Sequence, residues 1–361
     1  MARKNKPTNL ELAAADIMSD VEFAGSASRD LELRKVREQL DAVQSKYKDS
    51  LTKIENLKEE LNVFNTLKNT SLEYDTFKLS NKIVPAGSAA VGVMLNDWHC
   101  AKVVNPKMLE YHNEHNLEIF RYRMQRIPEK VMLLYNLAKK FANIREFHVF
   151  VLGDLMNNWL HDDDVETNSL GPMEEMLEVR RNLSKIINTL HESVKSDVEQ
   201  FKVSTCHGNH SRLTKRRRFN VPHKTNMEWQ ICQDLAIDAA EHNSPIQWNV
   251  SRGNMNRVVV LDWKIRLAHG DDVRYEGGIG GLTIPLIKAV KAWNENSRAD
   301  YTLVAHWHQF LRLWRTVVGG CSVGYDEFAQ ANKCEAQPPS QTFLLFDDSK
   351  GIALAEPLFI G

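Results

Sequence analysis

The chain has 361 residues, of which 43% are hydrophobic, and its 46 Lys and Arg nearly balance its 47 Asp and Glu. This length exceeds that of a usual single domain, and the near-neutral charge excludes a polycation that would coat nucleic acid indiscriminately. The 5 cysteines are scattered without a Cys-x-x-Cys pair, which argues against a disulfide framework or a zinc knuckle and favours a reducing cytoplasm.

The first predicted segment, residues 1–30, begins with basic residues but has no apolar core of signal-peptide length. It holds one short helical pattern, around Leu10 to Val21, and then the small-residue stretch AGSAS, which is typical of a linker. No run of about eighteen apolar residues occurs in the sequence. We therefore expect a soluble protein without a membrane partner.

The second predicted segment, residues 31–80, contains apolar residues at alternating steps of three and four. These residues are Leu33, Val36, Leu40, Val43, Tyr47, Ile54, Leu57, Leu61 and Phe64, with Ser50 as the polar position of the series. The repeat predicts a coiled-coil helix. It suits either an amphipathic helix that packs on its own domain or self-association into a homo-oligomer through residues 31–65, and its regular period favours self-association. The number and orientation of the helices stay open.

The third predicted segment, residues 81–361, alternates short apolar runs with long helical stretches such as Glu129 to Asn143 and Met173 to Phe201. This alternation is typical of an α/β domain. The predicted strands are AAVGVML, FHVFVL, FKVSTC, RVVVLDWKIRLA, YTLVA, LRLWRTVV, TFLLF and GIALAEPLFI. The last two runs are separated by DDSKG and predict a hairpin.

Potential metal ligands follow five of these runs. They are Asp97 and His99, then Asp154, then Asn209 and His210, then His269, and last His306 and His308. Any one of them alone is explained as a turn, a cap or a structural histidine. Together they predict a site at one sheet edge, because ligands bind at the carboxyl ends of strands in α/β sheets.

Carboxylate, imidazole and amide side chains in this mixture suit two divalent metal ions that act on a phosphoryl group. In Asp-x-His and His-x-His, the two ligands are two residues apart. On extended backbone they would point to the same side, and the intervening Trp98 and Trp307 would point away into packing.

In this order, D-x-H, G-D-x-x-N, G-N-H, a single His and H-x-H resemble the signature of the calcineurin-like metallophosphoesterase superfamily, over about Val91 to Phe310. The resemblance implies a four-layer α/β/β/α sandwich that holds two metal ions. It implies that the first ion is bound by Asp97, His99, Asp154 and His308, and the second by Asp154, Asn209, His269 and His306. Asp154 would then bridge the two ions.

The resemblance also implies that His210 is catalytic and protonates the leaving oxygen. It implies that Asn157 orients the metal ligands without binding a metal ion itself. Two positions depart from the family pattern. Ser211 stands where an acidic residue usually orients the histidine, and Ala305 stands where a glycine usually precedes H-x-H. The metal ligands of the pattern are all present.

Residues 153–158 form the motif GDLMNN. With this motif, the chain most resembles compact SbcD-like nucleases of the double-strand-break-repair type and phage phosphoesterases. This implies Mn²⁺ as the metal, with Mg²⁺, Zn²⁺, Fe²⁺ or Ni²⁺ as alternatives. It also implies a cytoplasmic location, in the host cytoplasm if the chain is phage-encoded.

A basic run directly follows the G-N-H motif. Its members are Arg212, Lys215, Arg216, Arg217 and Arg218. So many basic residues beside a metal site favour a substrate with several phosphates, so we expect DNA as the substrate and a nuclease as the enzyme. A solvated basic helix start is the simpler explanation of the run. A phosphatase or phosphodiesterase for proteins or small nucleotides is the alternative function, and a non-catalytic oligomeric nucleic-acid binder is a third.

Two further stretches lie near the motifs. The acidic residues 161–168, HDDDVETN, would repel DNA, and we expect them in a surface loop. The glycines of residues 277–281 lack the Lys-Ser/Thr of a nucleotide-binding loop, and we expect a mobile loop beside the site.

Overall fold

The computed structural model describes residues 26–69, 87–110, 112–160, 162–274 and 281–361. The chain divides into two units, Met1–Ser80 and Asn81–Gly361. The helical pattern expected around Leu10 to Val21 lies outside the described residues. Among the helices that the structure describes, none is both long enough and apolar enough to cross a membrane.

The described part of the first unit is one helix of 44 residues, α1, Ser26–Asn69. The apolar residues of the repeat are largely exposed along it; for example, Leu57 is 56% exposed and Leu61 is 58% exposed. An apolar stripe of this length in contact with water is typical of a surface that associates with another. Self-association through this stripe stays a prediction.

The second unit alternates strands and helices. Its helices are α2 (Leu117–Ala138), α3 (Asp162–Thr167), α4 (Pro172–Val194), α5 (Met227–Glu241), α6 (Thr283–Asn296) and α7 (Glu327–Ala331). Its strands are β1 (Ser88–Leu95), β2 (Asn143–Val151), β3 (Gln200–Thr205), β4 (Gln247–Val250), β5 (Met255–Val260), β6 (Trp263–Ala268), β7 (Tyr301–Val304), β8 (Leu311–Leu313), β9 (Thr316–Val318), β10 (Ser340–Asp347) and β11 (Gly351–Phe359).

The strands form two mixed sheets. The order in the first sheet is β11-β10-β1-β2-β3-β4, and in the second it is β5-β6-β7-β9-β8. β1, β2, β3 and β4 run parallel, as do β6, β7 and β9. β10 and β11 form the predicted antiparallel hairpin at one side of the first sheet. The predicted α/β class is confirmed.

Four apolar clusters are described in the second unit, and three of them join its sheets and helices. In the first, strand residues such as Phe147 pack with Ile127 of α2, Leu183 of α4 and Ile231 of α5. The second joins residues of both sheets, for example Phe150, Met94 and Leu344 with Leu267 and Leu303. The third joins the five-stranded sheet to α6, with Val304 and Val318 beside Leu286. Alternate residues of a strand point to opposite faces, so β1 contributes to both of the first two clusters.

Gly92 of β1 lies between the rings of two phenylalanines on the neighbouring strands of the same sheet, Phe150 of β2 and Phe346 of β10. A Cβ at this position would lie 2.7 Å from the ring of Phe150 and 3.0 Å from the ring of Phe346. Glycine is therefore required here because no side chain fits between these rings.

Several element boundaries differ from those predicted. The run RVVVLDWKIRLA is two antiparallel strands, β5 and β6, because the chain reverses at Leu261, where φ is 52°. LRLWRTVV is likewise divided into β8 and β9, and β4 was not predicted. α2 begins at Leu117, capped by the side chain of Asn116, and continues through Pro128. α2 and α4 both end before the residues predicted, because those residues start β2 and β3.

The acidic stretch is not the surface loop that was expected. Asp162–Thr167 forms the short helix α3. Asp164 Oδ1 accepts a hydrogen bond of 2.9 Å from Asn157 Nδ2, and Asn168 Oδ1 accepts one of 2.8 Å from the same nitrogen. The stretch is thereby held against the G-D motif. Of the predicted glycine loop, residues 277–280 lie outside the described residues, and Gly281 has φ 56°.

Candidate metal centre

The predicted ligands meet at the carboxyl edges of both sheets. Three of the groups follow β1, β2 and β3 of the first sheet, and two follow β6 and β7 of the second. The five strands were predicted to follow one another directly in the chain, but β4 and β5 lie between β3 and β6. Backbone hydrogen bonds link the strand ends, from Asp97 N to Gly153 O at 3.0 Å and from Ala305 N to His269 O at 2.8 Å.

Five candidate ligands have left-handed backbone conformations. The φ angle is 48° at Asp97, 43° at His99, 51° at Asp154, 75° at His306 and 54° at His308. The expectation of extended backbone at the two pairs is therefore wrong. The ligands follow the strand ends in tight, strained turns that bring their side chains together. Trp98 and Trp307 are nevertheless buried in the apolar clusters, as predicted.

The first cluster consists of Asp97, His99 and His308, whose ligand atoms all lie within 4.8 Å of one another. His99 Nε2 lies 3.0 Å from His308 Nε2. His99 Nδ1 donates to Asn157 Oδ1 at 3.0 Å. Because the Asn157 amide nitrogen donates to Asp164 and Asn168, its oxygen must face the histidine. The proton of neutral His99 is thus on Nδ1, and Nε2 presents a lone pair to the centre.

Asp97 has one carboxylate oxygen held and one left over. Its Oδ2 accepts hydrogen bonds of 2.9 Å from Asn96 Nδ2 and from the backbone N–H of His306. Its Oδ1 is buried and has no hydrogen-bond donor among the residues that the structure describes. Burial raises the pKa of Asp97 to about 6, although His269 and His308 act to lower it. An orphaned carboxylate oxygen in this position fits a bound cation.

The second cluster consists of Asp154, His269 and His306, again with ligand atoms within 4.8 Å of one another. His269 Nδ1 donates to Leu152 O at 2.7 Å, so Nε2 faces the centre. This atom lies 2.9 Å from Asp154 Oδ2 and 3.1 Å from Asn209 Oδ1. Burial would lower the pKa of His269, but the carboxylates of Asp154 and Asp97 raise it to about 10. In the protein by itself, His269 Nε2 therefore carries a proton, and it lies where the oxygens of Asp154 and Asn209 converge.

The donor set fits divalent cations. It combines imidazole nitrogens, carboxylate oxygens and one amide oxygen, which are the ligands of Zn²⁺, Mn²⁺, Fe²⁺ and related ions in proteins. The structure brings together all seven residues that the sequence singled out as ligands. These are Asp97, His99, His308, Asp154, His269, His306 and Asn209.

His210 lies beside the first cluster. Its backbone N–H donates to Asp154 Oδ1 at 2.8 Å, and its Nδ1 donates to Asn157 O at 3.0 Å. Its ring meets the ring of His99 edge to face, with centroids 4.7 Å apart. Burial lowers the pKa of His210, while Asp154 acts to raise it. Because Nδ1 is engaged with the backbone, proton exchange with a bound molecule would use Nε2.

Glu228, at the start of α5, is a buried residue that sequence reasoning missed. Its carboxylate accepts hydrogen bonds from the backbone N–H groups of Asp154, Leu155, Met156 and Gly208. Burial raises the pKa of Glu228, and the nearby Asp154 carboxylate raises it further, while the backbone hydrogen bonds act to lower it. Glu228 thus supplies a buried carboxylate that fixes the backbone of the loops after β2 and β3. No local sequence signal identifies it, because only the fold brings α5 to these loops.

Two more buried carboxylates support the centre. Glu175 of α4 accepts from the backbone N–H groups of Ala101, Asn157 and Asn158. Burial raises the pKa of Glu175 to about 7 against the effect of these bonds. Asp326 pairs with Lys102, and its Oδ2 lies 3.4 Å from His308 Nδ1. The loops of the centre are therefore fixed from α4, α5 and the segment before α7.

The basic run forms a loop of turns and bends rather than a helix start. The guanidinium group of Arg212 donates to the carbonyls of Asn209, Thr214 and Lys215. Arg217 forms an ion pair with Asp271 at 2.5 Å. These two arginines stabilise the loop, whereas the remaining members of the run are exposed. The exposed members are Lys215, Arg216 and Arg218.

No family model and no curated protein matches the sequence of this chain. Among solved structures, it is similar to Vacuolar Protein Sorting 29 of Cryptosporidium parvum, with 14% identity over 72% of this chain and 86% of that one, and a TM-score of 0.29.

Two other solved structures are similar to the chain at the same low level. A hypothetical protein of Pyrococcus horikoshii is 12% identical over 76% of this chain and 88% of that one, with a TM-score of 0.36. A predicted phosphoesterase of Streptococcus pneumoniae is 9% identical over 75% and 98%, with a TM-score of 0.28. Scores this low carry no argument about this chain, so its function must be argued from its own residues.

Proposed function

We propose that this chain is a metal-dependent phosphoesterase that hydrolyses phosphodiester bonds, with DNA as its substrate. The observation that carries the proposal is the pair of buried ligand clusters, one around His99 and His308 and one around Asp154 and His269. In the first cluster the Nε2 lone pair of His99 is turned towards the His308 imidazole, and in the second the Nε2 of His269 is turned towards the Asp154 carboxylate and the Asn209 amide oxygen. Such convergence of acceptors is costly unless a cation balances it.

Two divalent ions at this centre would polarise a phosphoryl oxygen and make hydroxide available near neutral pH. Residues of the chain would hold the ions and supply the proton for the leaving group. Asp154 lies where it can bridge the two clusters, since one of its oxygens faces His269 and the other accepts from the His210 backbone. His210, with Nδ1 held by Asn157 O, would deliver a proton from Nε2 to the leaving oxygen. We take Mn²⁺ as the proposed metal.

The packing of the second unit supports a four-layer α/β/β/α arrangement. Apolar cluster residues join α2, α4 and α5 to the first sheet, both sheets to each other, and α6 to the second sheet. Such a fold places the carboxyl ends of β1, β2, β3, β6 and β7 at a common edge. The domain proposed for residues 81–361 would therefore carry the complete site.

DNA is favoured over a small substrate by the exposed basic residues Lys215, Arg216 and Arg218, which follow His210 in the same loop. A chain of phosphates would contact several of them at once, while a monoester would need few. One observation favours the alternative, a phosphatase or a phosphodiesterase for proteins or small nucleotides. Arg212 and Arg217 of the same run are bound within the chain, which leaves fewer cations for a long substrate.

The self-association proposed for residues 31–65 would place several catalytic units on one substrate. The apolar stripe of α1 supports it, because residues such as Leu57 and Phe64 are exposed along the helix. Linked units bind a long polymer more tightly than a single unit does, since each further contact is intramolecular. A homo-oligomer would thus suit DNA better than a small ester.

The test is hydrolysis of labelled DNA and of bis-p-nitrophenyl phosphate with Mn²⁺. Native protein is compared with His210→Ala and with the triple variant Lys215→Ala/Arg216→Ala/Arg218→Ala. We expect His210→Ala to lose both activities and the triple variant to lose DNA cleavage only. Cleavage of the small ester alone, unaffected by the triple variant, would favour the alternative substrate class. If native protein cleaves neither substrate, it is not this enzyme, and a non-catalytic binder becomes the better explanation.

A further inference from the structure

Two large aromatic side chains are exposed on the loops that carry the proposed metal centre. Trp159, which is 49% exposed, follows the G-D motif directly. Phe219, which is 63% exposed, follows the basic run. Exposed rings of this size beside a polar centre are typical of a binding surface, because contact with water is unfavourable for them.

The position of Trp159 is fixed by its neighbour Asn158. The Asn158 side-chain nitrogen donates to the carbonyls of His210 at 2.9 Å and Arg212 at 3.1 Å. Its backbone N–H is held by Glu175, and its carbonyl accepts from Asn168 at 2.7 Å. The backbone next to Trp159 is therefore tied to the loop of the catalytic histidine. The backbone from which the Trp159 side chain extends is therefore held in place next to the His210 loop.

Phe219 is tied to the other side of the centre. The guanidinium group of Arg217 lies 4.9 Å from the centroid of its ring and also pairs with Asp271 at 2.5 Å. Asp271 follows His269 by two residues, so this contact links the ring to the second ligand cluster. The exposed basic residues Lys215, Arg216 and Arg218 belong to the same loop, between His210 and Phe219.

We propose that Trp159 and Phe219 are stacking sites for the unpaired bases of a single-stranded nucleic acid, whose phosphates contact Lys215, Arg216 and Arg218. Bases in a duplex are stacked on each other and cannot present their faces, whereas an unpaired strand can. The two aromatic side chains suit the faces of bases, and the cationic side chains of the loop before Phe219 suit the phosphates that join those bases. This inference rests on the proposed function and deepens it, because it names single strands as the substrate class.

Trp314 provides a matched control within the same chain. It is 90% exposed and lies in the turn between β8 and β9. β9 is parallel to β7, so the residue just before β9 lies at the sheet edge opposite the one where His306 and His308 follow β7. A single-stranded nucleic acid bound at the metal centre would therefore not contact Trp314.

The test is binding of labelled single-stranded and duplex DNA, measured by fluorescence anisotropy with Mn²⁺ on the full chain. The His210→Ala background prevents consumption of the substrate. We expect the single strand to bind more tightly than the duplex, and Trp159→Ala and Phe219→Ala each to weaken its binding about tenfold. Trp159→Tyr should restore most of the affinity, and Trp314→Ala should change nothing. The triple basic variant should reduce the salt dependence of single-strand binding by about two units of slope.

Equal affinity for both forms of DNA, unchanged by Trp159→Ala and Phe219→Ala, would overturn the stacking inference. Its failure can be told from failure of the proposed function. If native protein hydrolyses the small diester but shows no preference for single strands, only the stacking inference is wrong. If single strands are bound with the expected response to the aromatic variants while no phosphodiester is hydrolysed, the stacking inference holds and the proposed activity is wrong.

Discussion

Asn157 Oδ1 accepts the Nδ1 proton of His99 at 3.0 Å, and this bond determines which histidine nitrogen faces the centre. The Asn157 amide cannot turn around, because its nitrogen is bound to Asp164 and Asn168. The helix α3, which contains Asp164, therefore orients a proposed metal ligand through one intermediate side chain.

Replacing Asn157 by Ala should weaken metal binding about 10- to 100-fold, because His99 would lose the acceptor that holds its ring and tautomer. Isothermal titration of the metal-free protein with Mn²⁺ measures this. The variant Asn188→Ala, at an exposed position of α4, is the control and should bind metal as native protein does. Unchanged affinity in Asn157→Ala would show that the bond does not support the ligand.

Glu228→Gln should destabilise the second unit by about 3 kcal/mol, because an amide nitrogen would face backbone N–H groups that now share a buried carboxylate. Urea unfolding followed by circular dichroism measures the difference. Glu241→Gln, at the exposed end of the same helix, should have no effect. A native-like unfolding midpoint in Glu228→Gln would mean that the backbone hydrogen bonds do not need the charge.

The two ligand clusters predict two metal ions per chain. His308→Ala and His306→Ala should each reduce the metal content from about two ions to about one, since they belong to different clusters. Elemental analysis of dialysed protein gives the content, with the exposed His242→Ala as a control. Chelation should also lower the melting temperature of native protein, because an ion that binds only the folded state stabilises it. A single ion in native protein would contradict the two-ion proposal.

The second unit should lose stability as the pH falls below about 6.5, partly through His115. This residue is buried, its Nδ1 accepts from Arg123 at 2.8 Å, and burial together with Arg123 lowers its pKa to about 3. A lowered pKa means that the unfolded chain binds the proton more readily, so stability is present above the unfolded value and is lost on acidification.

Between pH 6.5 and pH 5, this effect lowers the free energy of unfolding by about 2 kcal/mol. His115→Asn should remove that share of the pH dependence in urea unfolding at the two pH values, and His112→Asn, at an exposed position, should not. An equally steep loss in His115→Asn would assign the acid sensitivity to other groups.

Leu57→Glu should dissociate the proposed oligomer, because it places a charge in the apolar stripe of α1. Sedimentation equilibrium of the full chain measures the mass, and Gln44→Glu, outside the stripe, is the control. A native chain that is already monomeric at micromolar concentration would exclude association through this helix.

The sequence was sufficient for the α/β class and for the grouping of ligands, because strand ends in such a fold share an edge. Its period from Leu33 to Phe64 also indicated the helix α1, but this helix begins at Ser26, inside the stretch AGSAS that had been predicted as a linker. The sequence was insufficient where long-range contacts override local pattern. The predicted helix started at Glu129, yet α2 starts at Leu117 and runs through Pro128. The single run from Arg257 to Ala268 conceals a reversal at Leu261.

The supporting residues of the centre show the same division. Asn157 was predicted from its place in the G-D motif, since motif neighbours stay neighbours in the fold. Glu228 and Glu175 could not be predicted, because they lie on helices and reach the loops only after packing. Arg212 and Arg217 had been predicted as substrate contacts, but the structure gives them partners within the chain.

The left-handed backbone at Asp97, His99, Asp154, His306 and His308 has an evolutionary consequence. Each such residue costs about 1 kcal/mol relative to glycine, which adopts this conformation freely. A lineage selected for thermal endurance alone would drift towards glycine at these positions. A lineage that retains imidazoles and carboxylates there has been selected for what those side chains hold.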